Sequence, residues 1–160
     1  MKILYLIRHA KSSWDMNVAD WERSLTQAGI ERAQVVAGLL KTKKIKIDCL
    51  LSSHAFRALN TAVIFARTLN YPLEQIEISN GIYEKKATEI IALLRSKNDK
   101  HQSIMLFGHN PAVTELYNML TGRMLDNMGT SAAAGIEFNI DKWTDLAPFG
   151  KTIFLETGKE

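Results

Sequence analysis

Short apolar runs alternate along the chain with segments in which apolar residues recur at helical spacing. A continuous apolar run of three to five residues is typical of a buried strand, whereas recurrence every three or four residues indicates an amphipathic helix. This pattern predicts strands at 3–7, 47–51, 76–78, 104–107, 136–140 and 153–155. It predicts helices from Thr26 to about residue 40 and then at about 55–69, 88–94 and 111–120.

Local signals mark the ends of the predicted helices. Thr26 is a good N-cap for the first helix, and the predicted buried stripe of that helix consists of Ile30, Ala33, Ala37 and Leu40. The segment Asn70-Tyr71-Pro72 ends the second helix, because proline cannot continue it. Pro111 suits the first position of the last helix.

Alternation of strands and helices predicts a mostly parallel sheet with helices on both faces. We therefore expect one α/β domain over residues 1–160, built as a three-layer α/β/α sandwich. The last two predicted strands have no clear helix between them, so we expect them to form a hairpin at an edge of the sheet.

Composition is ordinary for a globular protein: 46% of residues are hydrophobic and 23% charged, which excludes disorder and collagen-like repeats. The net charge of +3 is small, and no stripe of Lys or Arg interleaved with aromatic residues occurs, so we predict no nucleic-acid partner. The basic segment Lys41-Thr42-Lys43-Lys44-Ile45-Lys46 suits the end of a helix. The single Cys49 cannot form an internal disulfide, and no Cys/His pair has zinc-site spacing. Without a signal peptide or an apolar span of about 20 residues, we expect a cytoplasmic protein that binds no metal, no other cofactor and no membrane.

Polar residues with the chemistry of an anion site follow three of the predicted strands. Arg8 and His9 follow the first strand, Ser52-Ser53 and then Arg57 follow the second, and His109 follows the strand at 104–107. Ligands bind beyond the carboxyl ends of parallel strands, so we expect these side chains to converge. Arginine forks match phosphate oxygens, and an arginine placed directly after a buried strand would be costly without an anionic partner.

Three segments, 6–12, 52–62 and 108–111, resemble motifs of the histidine phosphatase superfamily, also called the phosphoglycerate-mutase-like fold. The segment Leu25-Thr26-Gln27-Ala28-Gly29 is similar to the entry of that family's first helix. The resemblance spans most of the chain in the correct order. The short length of the chain and the sequence of residues 8–14 look most like the SixA-type phosphohistidine phosphatases.

The resemblance implies a role for each matching residue. His9 would be the nucleophile that forms a covalent phosphohistidine, and Arg8 and Arg57 would clamp the phosphoryl group. His109 would be a second pocket histidine, cationic and donating a hydrogen bond, and Glu84 matches the position of the general acid or base. Two further residues, Ser12 and Asn110, join Arg8, Arg57 and His109 as implied substrate-binding residues.

Simple electrostatics support these implied roles. A histidine attacks only through an unprotonated nitrogen, and neighbouring guanidinium groups disfavour the imidazolium form of His9. The same arginines would meet the charge on the oxygens of a transferring phosphoryl group.

Five residues depart from the family pattern or have open roles. Ala10 replaces a glycine, and its methyl group fits if φ is negative. Asp15 stands where many relatives carry asparagine, so we expect it to pair with a cation or point away from phosphate. His54 stands where many members have proline and is expected at the surface, although it could contact substrate at the mouth of the pocket. Trp14 and Trp21 could cover the pocket or merely pack.

Several functions remain compatible with these residues. The first is hydrolysis of a phosphomonoester or of a phosphohistidine on a relay protein. The second is a phosphoglycerate-mutase-like transfer, but only about 30 residues separate Arg57 from Glu84, which leaves little chain for a closing lid. A non-catalytic phosphate-binding scaffold would be expected to have lost one of the site residues. The sequence leaves the substrate and the oligomeric state open.

Overall fold

The computed structural model describes residues 1–15 and 17–157. Its strands are β1 (Lys2–Arg8), β2 (Cys49–Ser53), β3 (Glu77–Ser79), β4 (Ser103–Gly108), β5 (Ala133–Phe138) and β6 (Lys151–Glu156). Its helices are α1 (Gln27–Thr42), α2 (Phe56–Thr68), α3 (Ala87–Arg95) and α4 (Ala112–Thr121). Short 3₁₀ turns occupy Asp20–Glu22, Leu73–Gln75 and Trp143–Asp145.

All six strands form one sheet in the order β3-β2-β4-β1-β5-β6. The first four strands in this order are parallel, whereas β5 is antiparallel to β1 and β6 is antiparallel to β5. The predicted α/β class and mostly parallel sheet are confirmed, as is the hairpin-like pairing of the last two strands at one edge.

Two hydrophobic cores lie on opposite faces of this sheet. Within β1, Leu4 and Leu6 belong to the core covered by α3 and α4, while Tyr5 and Ile7 belong to the core covered by α1 and α2. Side chains alternate between the faces of a strand, so a strand covered on both faces has a continuously apolar sequence. The apolar run of β1 is therefore the signature of a central strand, and it places Arg8 and His9 at the end of that strand.

The start of α1 packs directly on the segment that follows β1. Thr26 caps the helix as predicted, because its Oγ1 accepts a hydrogen bond from the Gly29 amide at 3.0 Å. A Cβ on Gly29 would lie only 2.3 Å from the Lys11 carbonyl oxygen, so no side chain fits there. The predicted buried stripe holds for Ala33, Ala37 and Leu40, but Ile30 is only half-buried and Val36 completes the stripe.

The boundaries of β5 were predicted wrongly. The strand was expected at 136–140, but it begins at Ala133 and ends at Phe138. Alanine and glycine have low strand propensity, so the sequence pattern hid the first half of the strand. Small residues are required there because a Cβ on Gly135 would lie 2.4 Å from the ring of Phe154 on β6.

Candidate active site

The three predicted clusters converge at the carboxyl edge of the parallel strands. Arg8 pairs in register with Gly108 of β4, and the His9 amide donates to the Gly108 carbonyl at 3.0 Å. The ring centroids of His9 and His109 are 5.2 Å apart. The convergence expected from topology is therefore observed.

The imidazole of His9 is held in one tautomer. Its Nδ1 lies 2.7 Å from the carbonyl oxygen of Ala10, and a carbonyl can only accept, so Nδ1 carries the hydrogen and Nε2 carries the lone pair. Burial is the main cause that lowers the pKa of His9 from 6.5 to about 4. The Ala10 carbonyl opposes this shift, and the cations Arg57, Arg8 and Arg23 add to it. The ring is therefore neutral at pH 7.

His109 is also neutral in this structure, which corrects the predicted cation. Burial, followed by His9 and Arg57, lowers its pKa to about 3. The Nε2 atom lies 2.8 Å from the Ser53 hydroxyl, and Ser53 Oγ also accepts a hydrogen bond from the Ala55 amide. The Nδ1 atom is buried and has no hydrogen-bond partner within the described residues.

Arg8 and Arg57 both lie in the pocket. Arg8 Nη1 donates to the Met128 carbonyl at 2.9 Å, and burial lowers the pKa of Arg8. Arg57 Nη1 donates to the Asp20 carbonyl at 2.8 Å and Nη2 to Asp20 Oδ2 at 3.1 Å. In the described part of the chain, the Nε atoms of both arginines are buried without a partner. The site thus contains buried donors that suit an anion.

Sequence reasoning missed a third pocket arginine, Arg23, which is buried. Its Nη2 donates to Ser12 Oγ, its Nη1 donates to Asp20 Oδ1 at 3.1 Å, and its positive charge contributes to the lowered pKa of His9. Its guanidinium carbon lies 3.9 Å from the ring centroid of Trp14. Arg23 follows a 3₁₀ turn in a polar loop, where no periodicity distinguishes a pocket residue from a surface charge.

Asp20 and Tyr83 also line the pocket, and the sequence analysis did not identify either residue. The Tyr83 hydroxyl donates to Asp20 Oδ2, and its ring centroid lies 5.4 Å from that of His109. The pKa of Asp20 is lowered, first by the hydrogen bond from Tyr83 and also by Arg57 and Arg23, against an opposing effect of burial. Burial and then Asp20 raise the pKa of Tyr83 to about 12. At neutral pH the pocket therefore contains an ionised carboxylate and a protonated phenol.

Three of the implied site residues have surroundings that the sequence did not indicate. Ser12 contacts Arg23 through its hydroxyl. Asn110 donates from Nδ2 to Asn127 and Met128, and its Oδ1 accepts from Thr114, so all its hydrogen-bonding capacity serves the fold. Glu84 is exposed with a φ of 57°, and it makes no hydrogen bond or ion pair to any described residue. Its role as a general acid stays a prediction.

The residues that depart from the family pattern are accommodated simply. Ala10 is buried without a positive φ, and its amide donates to Thr61 Oγ1 at 2.9 Å. Asp15 accepts a hydrogen bond from the Asn17 amide and is exposed. His54 is half-buried, and its ring centroid lies 5.1 Å from that of Tyr83.

The two tryptophans of the loop have different surroundings. Trp14 is 84% exposed and stacks on Arg23, so it stands at the rim of the pocket. Trp21 is half-exposed and packs edge-on against Phe56, with ring centroids 5.2 Å apart. Together with His54 and Tyr83, these rings form an aromatic rim around the histidines.

A neutral histidine surrounded by buried arginines at the carboxyl edge of a parallel sheet defines a phosphoryl-binding site of the α/β class. The family model of the histidine phosphatase superfamily (branch 1) matches residues 4–133, and the chain belongs to this family. It is therefore an enzyme, a histidine phosphatase, as the sequence motifs indicated.

The chain is also similar to individual proteins along nearly its whole length. The uncharacterised protein Rv1276c of Mycobacterium tuberculosis is 26% identical over 153 residues, which cover 89% of this chain and 92% of the relative. A candidate phosphohistidine phosphatase SixA from Agrobacterium tumefaciens superposes with a TM-score of 0.83 at 25% identity, covering 97% of each chain. The protein histidine phosphatase SixA complexed with tungstate superposes with a TM-score of 0.84 at 23% identity, covering 98% of this chain and 97% of the other.

The described residues offer neither a metal-binding cluster nor a membrane-spanning helix. No group of three or more His, Cys, Asp or Glu side chains in residues 1–15 and 17–157 could hold a metal ion. Within the same ranges, no helix combines the length and the apolar character that crossing a bilayer requires.

Proposed function

We propose that this enzyme hydrolyses phosphohistidine on a protein through a covalent phosphohistidine intermediate on His9. The observation that carries the proposal is the hydrogen bond from His9 Nδ1 to the Ala10 carbonyl, which directs the lone pair to Nε2. The low pKa of His9 keeps that lone pair available at neutral pH. A neutral nucleophile among three arginines is suited to in-line attack on a phosphoryl group.

The reaction has two displacements at phosphorus. In the first, His9 Nε2 forms a bond to phosphorus and the bond from phosphorus to the leaving nitrogen breaks. In the second, the oxygen of water forms a bond to phosphorus, the bond to His9 Nε2 breaks, and the proton that water loses passes to solvent. The products are the free protein histidine and inorganic phosphate, and His9 is regenerated.

The charge of the transferring group would be met by the buried donors. The Nε atoms of Arg8, Arg23 and Arg57 lack partners among the described residues, as does Nδ1 of His109. A neutral His109 can still donate from Nδ1 if Ser53 donates its hydroxyl hydrogen to Nε2. This arrangement is consistent with the hydrogen bond that Ser53 Oγ accepts from Ala55. Preorganised donors of this kind stabilise the transition state without reorganisation.

The state of the carboxylates favours a phosphoramidate over an alkyl phosphomonoester. The pKa of Asp20 is lowered, so this carboxyl group is ionised and cannot protonate a leaving group at neutral pH. Glu84 is exposed and has no described partner that would hold it against the reacting atoms. An imidazole leaving group can be protonated by solvent on its distal nitrogen, because the pKa of an imidazole is about 6.5. An alkoxide leaving group has no such route.

The surroundings of the pocket support a large substrate rather than an enclosed metabolite. The segment between α2 and α3 includes β3, which pairs with β2 at the sheet edge. Strand β3 is therefore not part of a lid. The rim presents exposed aromatic side chains, Trp14 and Trp21 among them, which are the residue types enriched at protein interfaces. The two SixA neighbours, a candidate phosphohistidine phosphatase and a protein histidine phosphatase, favour the same substrate class here.

We further propose that the reaction needs no metal and takes place in the cytoplasm. The three arginines supply the positive charge that a metal ion supplies in other phosphatases. Activity should survive exhaustive treatment with EDTA, and loss that added Mg²⁺ or Zn²⁺ restores would contradict metal independence.

The decisive test compares His9→Ala with the matched control His101→Ala. Protein phosphorylated on histidine, phosphoserine peptide and small phosphomonoesters are offered as substrates. We expect His9→Ala to abolish turnover while vanadate still binds, and His101→Ala to behave as wild type. Rapid quenching in alkali should preserve a phosphoryl label on wild-type enzyme, whereas quenching in acid should remove it. Full turnover by His9→Ala, or equal rates for all three substrate classes, would refute the proposal.

A further inference from the structure

A single carboxylate, Asp20, bridges two of the three pocket arginines. Its Oδ1 lies 3.1 Å from Arg23 Nη1, and its Oδ2 lies 3.1 Å from Arg57 Nη2. The backbone carbonyl of Asp20 also accepts a hydrogen bond from Arg57 Nη1 at 2.8 Å. Asp20 therefore contacts each arginine through a different oxygen, and it holds Arg57 by two terminal nitrogens at once.

The carboxylate of Asp20 is more exposed than the arginines that it contacts. The Asp20 side chain is 49% exposed, whereas the side chains of Arg23 and Arg57 are 10% and 9% exposed. Both arginines help to lower the pKa of His9, which is only 7% exposed. Asp20 thus reaches solvent, while the two guanidinium groups that it binds are buried near His9.

The two guanidinium groups use most of their terminal nitrogens on Asp20. Arg57 uses both terminal nitrogens on Asp20, and Arg23 uses one on Asp20 and the other on Ser12. Among the described residues, the Nε atom of each arginine is buried without a partner. Asp20 therefore engages three of the four terminal nitrogens of the two groups, and each group keeps a buried Nε donor without a partner among those residues.

Tyr83 fixes the carboxylate in turn. Its hydroxyl donates to Asp20 Oδ2, the oxygen that also contacts Arg57. The Tyr83 ring lies against His109 and under the Arg57 guanidinium, 5.8 Å from the ring centroid to the guanidinium carbon. The result is a connected chain from Tyr83 through Asp20 to both arginines.

We propose that Asp20 is a positioning residue that holds Arg23 and Arg57 in the geometry required to bind a phosphoryl group. Two like charges in one buried pocket repel each other, and an anion that both of them contact offsets that repulsion. The proposal rests on the proposed function only for the identity of the ligand, a phosphoryl group. It differs from two other roles for Asp20, a proton donor to the leaving group and an anion that competes with phosphate.

The first test measures the binding of inorganic phosphate and vanadate by calorimetry, without turnover. Asp20→Asn keeps the size of the side chain and removes its charge. We expect it to weaken the binding of both anions roughly tenfold, because misplaced donors lose much of their effect. Glu22→Gln is the matched control: it removes one negative charge from the same 3₁₀ turn, and the Glu22 carboxylate accepts a hydrogen bond from the Ala19 amide. It should leave binding unchanged.

Tighter anion binding by Asp20→Asn would show that the carboxylate competes with phosphate and would overturn the proposal. Unchanged binding would overturn it as well. If Asp20→Asn does not fold, Tyr83→Phe replaces it, and we expect a smaller weakening in the same direction. Unchanged binding by a folded Tyr83→Phe would then overturn the proposal.

A double-mutant cycle separates positioning from an independent catalytic role. In wild-type background, Asp20→Asn should lower kcat for a histidine-phosphorylated protein roughly 10–100-fold with a smaller change in KM. In the Arg57→Lys background, which keeps the charge but loses the fork, the same change should cost less than about threefold. Fully additive losses would contradict positioning. Wild type that binds phosphate but does not turn over this substrate would refute the proposed function and leave the binding test of Asp20 intact.

Discussion

The neutral state of His9 predicts a specific loss of stability as the pH falls. A histidine in the unfolded chain has a pKa of about 6.5. In the folded protein, the pKa of His9 is about 4 and that of His109 about 3. Below pH 6.5 the unfolded chain therefore binds protons that the folded protein does not, so protonation favours unfolding. The stabilisation is complete above the unfolded pKa and is lost as the pH falls toward the folded values.

The magnitude follows from the two shifts. Each excess proton on the unfolded chain changes the free energy of unfolding by about 1.4 kcal/mol per pH unit. The two histidines together should give a slope of roughly 3 kcal/mol per pH unit between about pH 5.5 and 4.5. Replacing either histidine with Asn should remove about half of this slope, whatever the replacement does to stability at pH 7.5.

The assay is urea unfolding at fixed pH values from 7.5 to 4.5, with the free energy of unfolding extrapolated to water. Wild type is compared with His9→Asn, His109→Asn and the control His101→Asn. Carboxyl groups titrate in the same way in all four proteins, so the differences between slopes report the histidines. A slope for His9→Asn equal to that of wild type would mean that His9 gains its proton at the same pH in the folded and the unfolded protein. The lowered pKa of His9 would then be wrong.

Three further predictions concern the pocket and its support. Arg23→Gln should lower kcat about 100-fold, because it removes a donor to the transition state, whereas the exposed control Arg67→Gln should behave as wild type in steady-state kinetics. Glu84→Gln should slow both alkyl phosphomonoesters and a phosphoramidate by less than about twofold, because Glu84 is exposed and no described residue holds it at the reacting atoms; a loss of about tenfold confined to alkyl phosphomonoesters would instead identify it as a proton donor. Gly29→Ala should destabilise the protein by about 1–3 kcal/mol in urea unfolding, because its Cβ would meet the Lys11 carbonyl. Gly38→Ala in the same helix, where the Cβ meets nothing within 4 Å, should instead stabilise it by about 0.5–1 kcal/mol.

The central part of the fold could be predicted because its signals are local. Strands β1 and β4 are buried on both faces, and their sequences are therefore continuously apolar up to Arg8 and Gly108. The positions of His9, Arg57 and His109 then follow from topology, since parallel strands end at the same edge. The beginning of β5 gave no such signal, because packing against Phe154 selects small residues that resemble a loop.

The rest of the site depends on contacts between distant parts of the chain. Asp20 and Arg57 are separated by 37 positions, and Asp20 and Tyr83 by 63. Asp20 and Arg23 lie in a polar loop, where a carboxylate and an arginine three positions apart look like an ordinary surface pair. Only the packing of that loop against α2 and the segment after β3 turns them into parts of a pocket.

Burial and the arginines contribute differently to the neutral state of His9. Sequence reasoning assigned it to the neighbouring arginines, whereas burial is the larger cause in the structure and the arginines add to it. His9, the proposed nucleophile, is therefore unprotonated before any phosphoryl group arrives, and this state does not require all three cations. In the proposed reaction the arginines have a separate task, the stabilisation of charge on the transferring oxygens. Asp20 can therefore pair with Arg23 and Arg57 without removing the main cause of that state, because the lone pair on His9 Nε2 is maintained by burial and by the Ala10 carbonyl.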